Sequence, residues 1–185
     1  HGFEFEVNGV SLEEDLFRRD LTINAMAKNE NGSLVDPFGG FTDLKNKVLK
    51  HVSNHFAEDP LRVLRVARFQ ARYTDFSVDP TTLELMKELC KKEATFLEKD
   101  RVRAETFKAL TEKEPFLYFK TLSDVGFFKA FGKELSLPSV LKLSSDVELA
   151  LMQLSLHQKD NLKFVDFMID LLKLGKSNKK QILYY

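Results

Sequence analysis

A strongly apolar helix that carries a row of arginines constrains the fold of this chain more than any other feature. Pro60 holds its φ near the value of a first helical turn, so it marks a helix start, with Asp59 at the N-cap and Glu58 just outside. The residues that follow are apolar on nearly every face, namely Leu61, Val63, Leu64, Val66, Ala67, Phe69, Ala71 and Tyr73. A helix that is apolar all round is a buried one. The rest of the chain is therefore expected to pack around this segment.

The charged residues of this helix are almost all arginines. Arg62, Arg65, Arg68 and Arg72 recur every three or four residues, which favours one face. A buried guanidinium needs acceptors. The row therefore indicates a cleft that receives an anionic or acceptor-rich ligand.

Asp59 and Arg62 are three residues apart and can point the same way, offering one acceptor edge and one donor fork. Cytosine and adenine each present an exocyclic amine beside a ring-nitrogen acceptor, whereas guanine and uracil present the reverse. Such a pair suits C and A and opposes G and U. The alternative, a helix cap beside a structural arginine, stays open on the residues alone.

These residues resemble the nucleotide-selecting motif of class II tRNA nucleotidyltransferases, the CCA-adding enzymes, which bacterial poly(A) polymerases share. The resemblance rests on Glu58, Asp59 and Arg62, followed by Val63, Arg65, Val66, Ala67, Arg68 and Phe69. Three further stretches agree in the order of the family. Arg18–Ala27 resembles the second motif of the catalytic head, and Leu34–Gly40 resembles the hinge between head and neck. Arg101–Glu105 resembles a motif that stabilises the neck.

The resemblance implies a mainly α fold, in which a short β-hairpin remnant of a nucleotidyltransferase head precedes a helical neck and body. The implied domains are residues 1–40 for the head remnant, 41–112 for the neck with the selecting motif, and 113–185 for an RNA-binding body. The implied activity is template-independent addition of CCA to the tRNA 3′ end from CTP and ATP. Poly(A) polymerase activity, a headless non-catalytic RNA-binding relative, and a plain helical interaction domain are the alternatives.

Site residues follow from the same resemblance. Asp59 and Arg62 are expected to read the base, and Arg19 to lie against the phosphates of the incoming nucleotide. The full nucleotide-binding set is Arg19, Asp59, Arg62, Arg65 and Arg68, and the supporting set is Asp20, Asn24, Glu58, Arg101 and Glu105. For Arg68 the alternative role is bracing the neck, because successive members of the row turn around the helix and Arg68 ends nearly opposite Asp59.

Nucleotidyl transfer needs two divalent metal ions held by paired carboxylates. The family holds its Mg²⁺ with an Asp-x-Asp pair before the first motif seen here, and no Asp-x-Asp occurs among the 185 residues. We therefore expect no catalytic or metal-binding residue in this chain, and no activity from the chain alone. Since it starts at His1 without a methionine, we expect a fragment of a longer enzyme.

Composition limits the partners. The 28 basic and 28 acidic residues cancel, so any RNA binding must come from a local patch. The single cysteine, Cys90, fits a reducing cytoplasm and a packed helix position. No apolar run reaches membrane-spanning length. His51 and His55 lack neighbours at metal-ligand spacing, so both are interpreted as structural.

Local patterns predict the elements. Strands are expected at Phe3–Val7, at Ile23–Ala27 with a return at Leu34–Val35, and over Val48–Val52, and only helices from Ser53 onward. The predicted helix caps are Ser11 with Glu14, then Thr42 or Asp43, followed by Asp79, Asp100, Asp146 and Asn161. The first helix is expected to end near Asp20 and the one from Leu162 at Gly175. Arg101 and Glu105 are expected to pair, and Phe127, Phe128 and Phe131 to lie in the core.

Overall fold

The structure is a computed structural model and describes residues 11–184. Its helices are α1 (Leu12–Phe17), α2 (Gly40–Asn46), α3 (Leu61–Arg72), α4 (Pro80–Glu93), α5 (Lys99–Leu110), α6 (Pro115–Asp124), α7 (Phe127–Ala130), α8 (Val147–Ser155), α9 (Asn161–Leu171) and α10 (Lys176–Tyr184). Three 3-10 turns span Thr22–Asn24, Asn54–Glu58 and Ala94–Phe96. The strands are β1 (Ala27–Lys28), β2 (Leu34–Val35), β3 (Val48–Leu49) and β4 (Ser77–Val78). The predicted mainly α class with a small β-hairpin is confirmed.

Helix α3 lies at the centre of the core, as its apolar surface requires. Leu64, Val66, Ala67 and Ala71 are completely buried, and the helix packs against α5 and α6. One continuous apolar cluster extends from Leu21 to Ile182. The helices of the second half therefore support the helix that carries the arginine row.

The strands form two small sheets, of which the second links the first fifty residues to the segment between α3 and α4. β1 and β2 form the predicted antiparallel hairpin, with Gly32 in the left-handed conformation of its turn (φ 77°). β3 and β4 pair in parallel, and an isolated bridge links Leu21 to His51.

Helix caps that depend on neighbours in sequence are confirmed. Ser11 and Glu14 form a reciprocal capping box at α1. Asp79 accepts from the backbone N–H groups at the start of α4, and Asp146 does so at α8. Cys90 is buried on α4 as predicted, and burial raises the pKa of its thiol to about 12. Phe127 and Phe128 are buried, and Phe131 packs against the core.

Three predictions in the first half of the chain are wrong. The first helix ends at Phe17, not near Asp20. The strand predicted from Ile23 begins only at Ala27, because Thr22–Asn24 form a 3-10 turn that the Asn24 side chain closes onto the Leu21 N–H. Neither Thr42 nor Asp43 caps α2; the helix begins at Gly40, where the Asp36 carboxylate accepts from the Gly40 and Phe41 N–H groups.

Further predictions fail where distant contacts decide the structure. The segment after Ser53 is not all helical, because β4 pairs with β3 across 29 residues of sequence. Asp100 lies inside the first turn of α5, which begins at Lys99. Asp160, not Asn161, caps α9, which ends at Leu171 before the Gly175 stop that was predicted.

The predicted strand at Phe3–Val7 lies outside the described residues. No helix in the part of the chain that the structure describes is both long and apolar enough to span a bilayer.

Candidate functional site

A groove of about 350 Å³ opens between the end of α1 and the start of α3. Five arginines and two aspartates provide its charged lining. The residues are Arg18, Arg19, Asp20, Asn24, Asp59, Leu61, Arg62, Arg65 and Arg101. The excess of guanidinium groups makes this groove suited to an anion.

The Asp59 carboxylate lies at the start of α3 and makes two contacts. Its Oδ1 accepts from the Leu61 N–H at 3.1 Å. The helix begins at Leu61 with Pro60 at the N-cap, one residue later than predicted. The other oxygen of the carboxylate, Oδ2, pairs with Nη2 of Arg101 at 2.7 Å. Arg101, on α5, therefore holds the Asp59 carboxylate in place at the start of α3.

Arg62 does not pair with Asp59. Its Nη1 donates to the carbonyl oxygen of His55 at 2.8 Å and its Nη2 to that of Arg18 at 2.6 Å. The second bond spans 44 residues of sequence and ties the end of α1 to α3. The guanidinium plane is therefore held in one orientation at the groove.

Asp20 is the buried hub that joins the groove walls, with only 5% of its surface exposed. It accepts from Arg65 Nε at 2.5 Å, from Asn24 Nδ2 at 2.7 Å and from the Leu21 N–H at 3.1 Å. Burial opposes ionisation of Asp20, but the hydrogen bond and charge of Arg65 outweigh it, so the pKa of Asp20 lies below its ordinary value. The carboxylate is thus kept ionised and Arg65 is fixed beside it.

The opposite wall of the groove is formed by Arg18 and Arg19, which follow the last residue of α1. Asp15 holds both members, with Arg18 Nη2 at 2.5 Å and Arg19 Nη2 at 3.0 Å. Arg19 also donates to the Asn24 carbonyl at 3.3 Å. Sequence reasoning named Arg19 but not Arg18 as a groove residue; the adjacent pair of arginines was the signal.

Arg68 does not line the groove, and its contacts match the second of its two predicted roles, bracing the neck. Its guanidinium is buried between Glu105 (2.8 Å) and Glu112 (3.2 Å) and joins α3 to α5 and the turn after it. The expected pairing of Arg101 with Glu105 is wrong, because Glu105 binds Arg68 and Lys108. Burial opposes ionisation of Glu105, but Lys108 and Arg68 outweigh it and keep its pKa lowered.

Glu58 and the two histidines lie beside the groove without lining it. Glu58 pairs with His55 Nδ1 at 2.6 Å, and His51 Nδ1 lies 2.7 Å from the Thr82 hydroxyl. Burial lowers the pKa of His51. Among residues 11–184, no three or more His, Cys, Asp or Glu side chains come together as a metal site.

Two family descriptions match this chain. Residues 3–50 match "Poly A polymerase head domain", and residues 75–137 match "Probable RNA and SrmB- binding site of polymerase A". The first range contains Arg19, Asp20 and Asn24, and the second contains Arg101 and Glu105. Helix α3 lies between them.

Curated relatives carry the name Multifunctional CCA protein. The protein of Mannheimia succiniciproducens is 55% identical over 129 residues, which are 68% of this chain and 31% of the relative. That of Acinetobacter baumannii (strain AYE) is 52% identical over 139 residues, which are 73% of this chain and 34% of the relative. The chain thus spans about a third of the length of these relatives.

Solved structures of CCA-adding enzymes share the fold. A CCA-adding enzyme in complex with CTP superposes with a TM-score of 0.73 at 29% identity, covering 94% of this chain and 46% of that enzyme. The Thermotoga maritima CCA-adding enzyme complexed with tRNA superposes with a TM-score of 0.62 at 26% identity, covering 92% and 43%. Together with the two family matches, these likenesses show that the chain belongs to the family of class II CCA-adding tRNA nucleotidyltransferases and poly(A) polymerases.

Proposed function

We propose that this chain is the nucleotide-selecting and RNA-holding part of an enzyme that adds CCA to the 3′ end of tRNA from CTP and ATP. The observation that carries the proposal is the groove in which Asp59 and Arg62, at the start of α3, face the two arginines that follow α1. Relatives named for CCA addition and neighbours solved with ATP or CTP support the same reaction.

Asp59 and Arg62 retain the hydrogen-bonding capacity that base reading requires. A carboxylate offers about four acceptor positions, and Asp59 uses two of them, for Leu61 and Arg101. A guanidinium has five N–H donors, and Arg62 donates two hydrogen bonds among the described residues. The Asp59 carboxylate offers acceptors only, which suits the amine of cytosine or adenine and opposes the carbonyl of uracil or guanine.

The α1 side of the groove provides the phosphate contacts in this proposal. Arg18 and Arg19 share one carboxylate, that of Asp15, so their donors are only partly satisfied. Arg65, paired with Asp20, extends the cationic lining. An incoming triphosphate would lie between these arginines while its base reaches α3.

Catalytic metal ions do not fit the described residues, whose carboxylates lie dispersed or paired with arginines and lysines. We expect Mg²⁺ to be bound outside this chain, so the chain selects and orients nucleotide without performing transfer. In this proposal residues 1–40 belong to the head, 41–112 to the neck and 113–185 to an RNA-binding body.

Arg62→Ala in the longer protein tests the assignment. Loss of a charge-assisted hydrogen bond costs about 1.5–3 kcal/mol, which is roughly a ten- to hundredfold loss of discrimination. Incorporation of each of the four nucleotides into tRNA lacking CCA would be compared with that of the wild type. Arg103→Ala is the matched control, since Arg103 is exposed on α5 and packs over Phe107 away from the groove. Unchanged selection by Arg62→Ala would refute the base-reading role.

The same assay separates CCA addition from poly(A) addition. With CTP alone, ATP alone and both together, CCA addition gives two C residues, no extension, and the complete end, respectively. A poly(A) polymerase would instead extend RNA with ATP alone. A headless binding relative would extend nothing even as the full-length protein.

A further inference from the structure

Two ion pairs join the first turn of α5 to the end of α9. Nζ of Lys99 lies 2.7 Å from each oxygen of the Asp170 carboxylate, and Nζ of Lys173 lies 2.5 Å from Oδ2 of Asp100. The pairs run in opposite senses, because each of the two segments contributes one cation and one anion. We call these four residues the α5–α9 junction; the lining of the groove does not include them.

The start of α5 has weak support of its own. Glu98 stands at its N-cap and makes no side-chain hydrogen bond to the first turn with any described residue. Lys99 places a cation at the positive end of the helix dipole, and the Asp170 carboxylate offsets that charge. A helix start that lacks a capping side chain frays readily. The ion pairs from α9 therefore supply an attachment that the cap of α5 does not.

Arg101 lies in this same first turn, directly after Asp100. Its Nη2 donates to Oδ2 of Asp59 at 2.7 Å, so it joins α5 to the groove. Fraying of the turn would withdraw Arg101 and leave the Asp59 carboxylate with the Leu61 N–H as its one remaining partner among the described residues. The position of the base-reading carboxylate thus depends on how firmly the start of α5 is held.

The backbone at Lys173 provides a second, independent observation. Its φ of 48° lies in the left-handed region, where a residue other than glycine is strained. The Lys173 N–H donates to the Asp170 carbonyl oxygen, and the Leu174 N–H donates to that of Ile169. This is the Schellman arrangement of a helix end, in which glycine is the usual residue at the left-handed position. A lysine here strains the backbone, and its side chain adds the contact with Asp100.

We propose that the α5–α9 junction positions Arg101, and through it Asp59, so that Asp170 and Lys173 are positioning residues for base selection. The inference rests on the proposed function and deepens it, because it gives the end of α9 a part in the choice of nucleotide without contact with the nucleotide. Helix α9 begins at Asn161, beyond both of the ranges that match a family description.

Lys173→Gly in the longer protein tests the inference, because it removes one ion pair and relieves the strained backbone together. We expect a melting temperature close to that of the wild type, since the relieved strain offsets the loss of an exposed pair. The preference for CTP over UTP, measured on tRNA lacking CCA, should fall by about two- to fivefold, the range of one exposed ion pair. Both nucleotides carry the same triphosphate, so changes in phosphate contacts cancel in this ratio.

Lys47→Gly is the matched control. Lys47 is the other non-glycine residue with a left-handed φ among the described residues (57°), and it also pairs with an exposed aspartate, Asp75, at 2.6 Å. The variant therefore makes the same backbone and charge changes at the end of α2, where the partner lies in the turn after α3. It should leave base choice unchanged, and Lys173→Arg, which keeps the cation, should choose bases like the wild type.

The route through Arg101 has its own test. In an Arg101→Ala background, Lys173→Gly should lower the CTP preference no further, because the link to Asp59 is already lost. A further loss of about two- to fivefold in that background would overturn the inference. So would a Lys173→Gly variant that chooses bases like Lys47→Gly.

Hydrogen exchange separates the inference from the proposed function. The Arg101 and Val102 N–H groups donate to the Glu98 carbonyl oxygen, and their exchange should be faster in Lys173→Gly but not in Lys47→Gly. Unchanged exchange at these two amides would overturn the inference whatever the enzyme adds. A wild-type protein with no preference for C and A would overturn the proposed function, while faster exchange confined to Lys173→Gly would keep the junction as the support of Arg101.

Discussion

Asp59 combines a structural contact with the predicted contact to the base, and one substitution separates the two. Asn caps a helix about as well as Asp. Asp59→Asn therefore keeps the acceptor for the Leu61 N–H, while its amide can donate as well as accept. We expect a nearly unchanged melting temperature and raised incorporation of UTP.

The control is Asp59→Ala, which removes the cap as well and should cost about 1 kcal/mol of unfolding free energy. The Arg101 pair that both variants lose is partly exposed and contributes about 0–1 kcal/mol. A large melting drop in Asp59→Asn together with normal fidelity would favour a purely structural aspartate.

Asp20 gives the groove a predictable dependence on pH. Its pKa is lowered in the folded state, so its contribution to stability is complete above the ordinary value of about 4 and is lost as pH falls through the folded pKa. Asp20→Asn should cost about 1–3 kcal/mol at neutral pH, because Arg65 loses its charged acceptor. The difference from wild type should shrink below about pH 4 in urea unfolding experiments. A difference that is constant with pH would contradict the ion pair. Asp15→Asn, on a partly exposed carboxylate, should change little.

At the scale of elements, two adjacent glycines are required for different reasons. A Cβ on Gly40 would lie 2.0 Å from the Thr22 carbonyl oxygen, whereas one on Gly39 would meet nothing within 4 Å. Gly39 instead has a φ of 73°, which asparagine tolerates better than most residues. Gly40→Asn should therefore destabilise the protein by about 1–3 kcal/mol or more, and Gly39→Asn by less. Equal unfolding free energies of the two variants would show that α2 does not pack tightly on the Thr22–Asn24 turn.

The buried pair of Arg68 and Glu105 clamps α3 to α5. Glu105→Ala leaves a buried guanidinium with one fewer partner and should cost about 3–5 kcal/mol, without altering base choice in the surviving folded protein. Lys108→Ala removes only the exposed partner of Glu105 and should cost about 0–1 kcal/mol. Changed base selection in Glu105→Ala would mean that the ion pair between Arg68 and Glu105 also determines the geometry of the groove.

Elements whose signals are local could be predicted from the sequence. The capping residues Ser11, Asp79 and Asp146 act on backbone within four positions, so their chemistry is readable from the order of residues. β4 could not be found in this way, because two residues form a strand only when β3 is beside them. The 3-10 turn at Thr22 was missed for the same reason: Asp20, which orients Asn24, is itself held by Arg65 from α3.

At the scale of the whole molecule, the position of the groove was predictable but its internal pairing was not. The spacing of Asp59 and Arg62 predicted one wall of the groove, and the motif that contains Arg19 predicted the other. Which guanidinium meets which carboxylate depends on tertiary packing. The sequence therefore left two roles open for Arg68 and predicted the wrong partner for Arg101.

The proposed function assigns nucleotide selection to this chain and nucleotidyl transfer to another part of the enzyme. It therefore predicts how the 185-residue chain should behave on its own. It has a continuous apolar core, so we expect it to fold with the helical content of the structure, measurable by circular dichroism. It should bind CTP and ATP weakly, since in the proposed function Arg18, Arg19 and Arg65 supply only part of the phosphate contacts, and Arg19→Ala should weaken that binding further. It should incorporate no nucleotide into tRNA at any Mg²⁺ concentration, because two-metal transfer needs paired carboxylates and its sequence contains no Asp-x-Asp. Mg²⁺-dependent addition by the purified chain, abolished by an Asp or Glu substitution within it, would show that these residues build a metal site after all and would overturn the assignment of chemistry to another part of the enzyme.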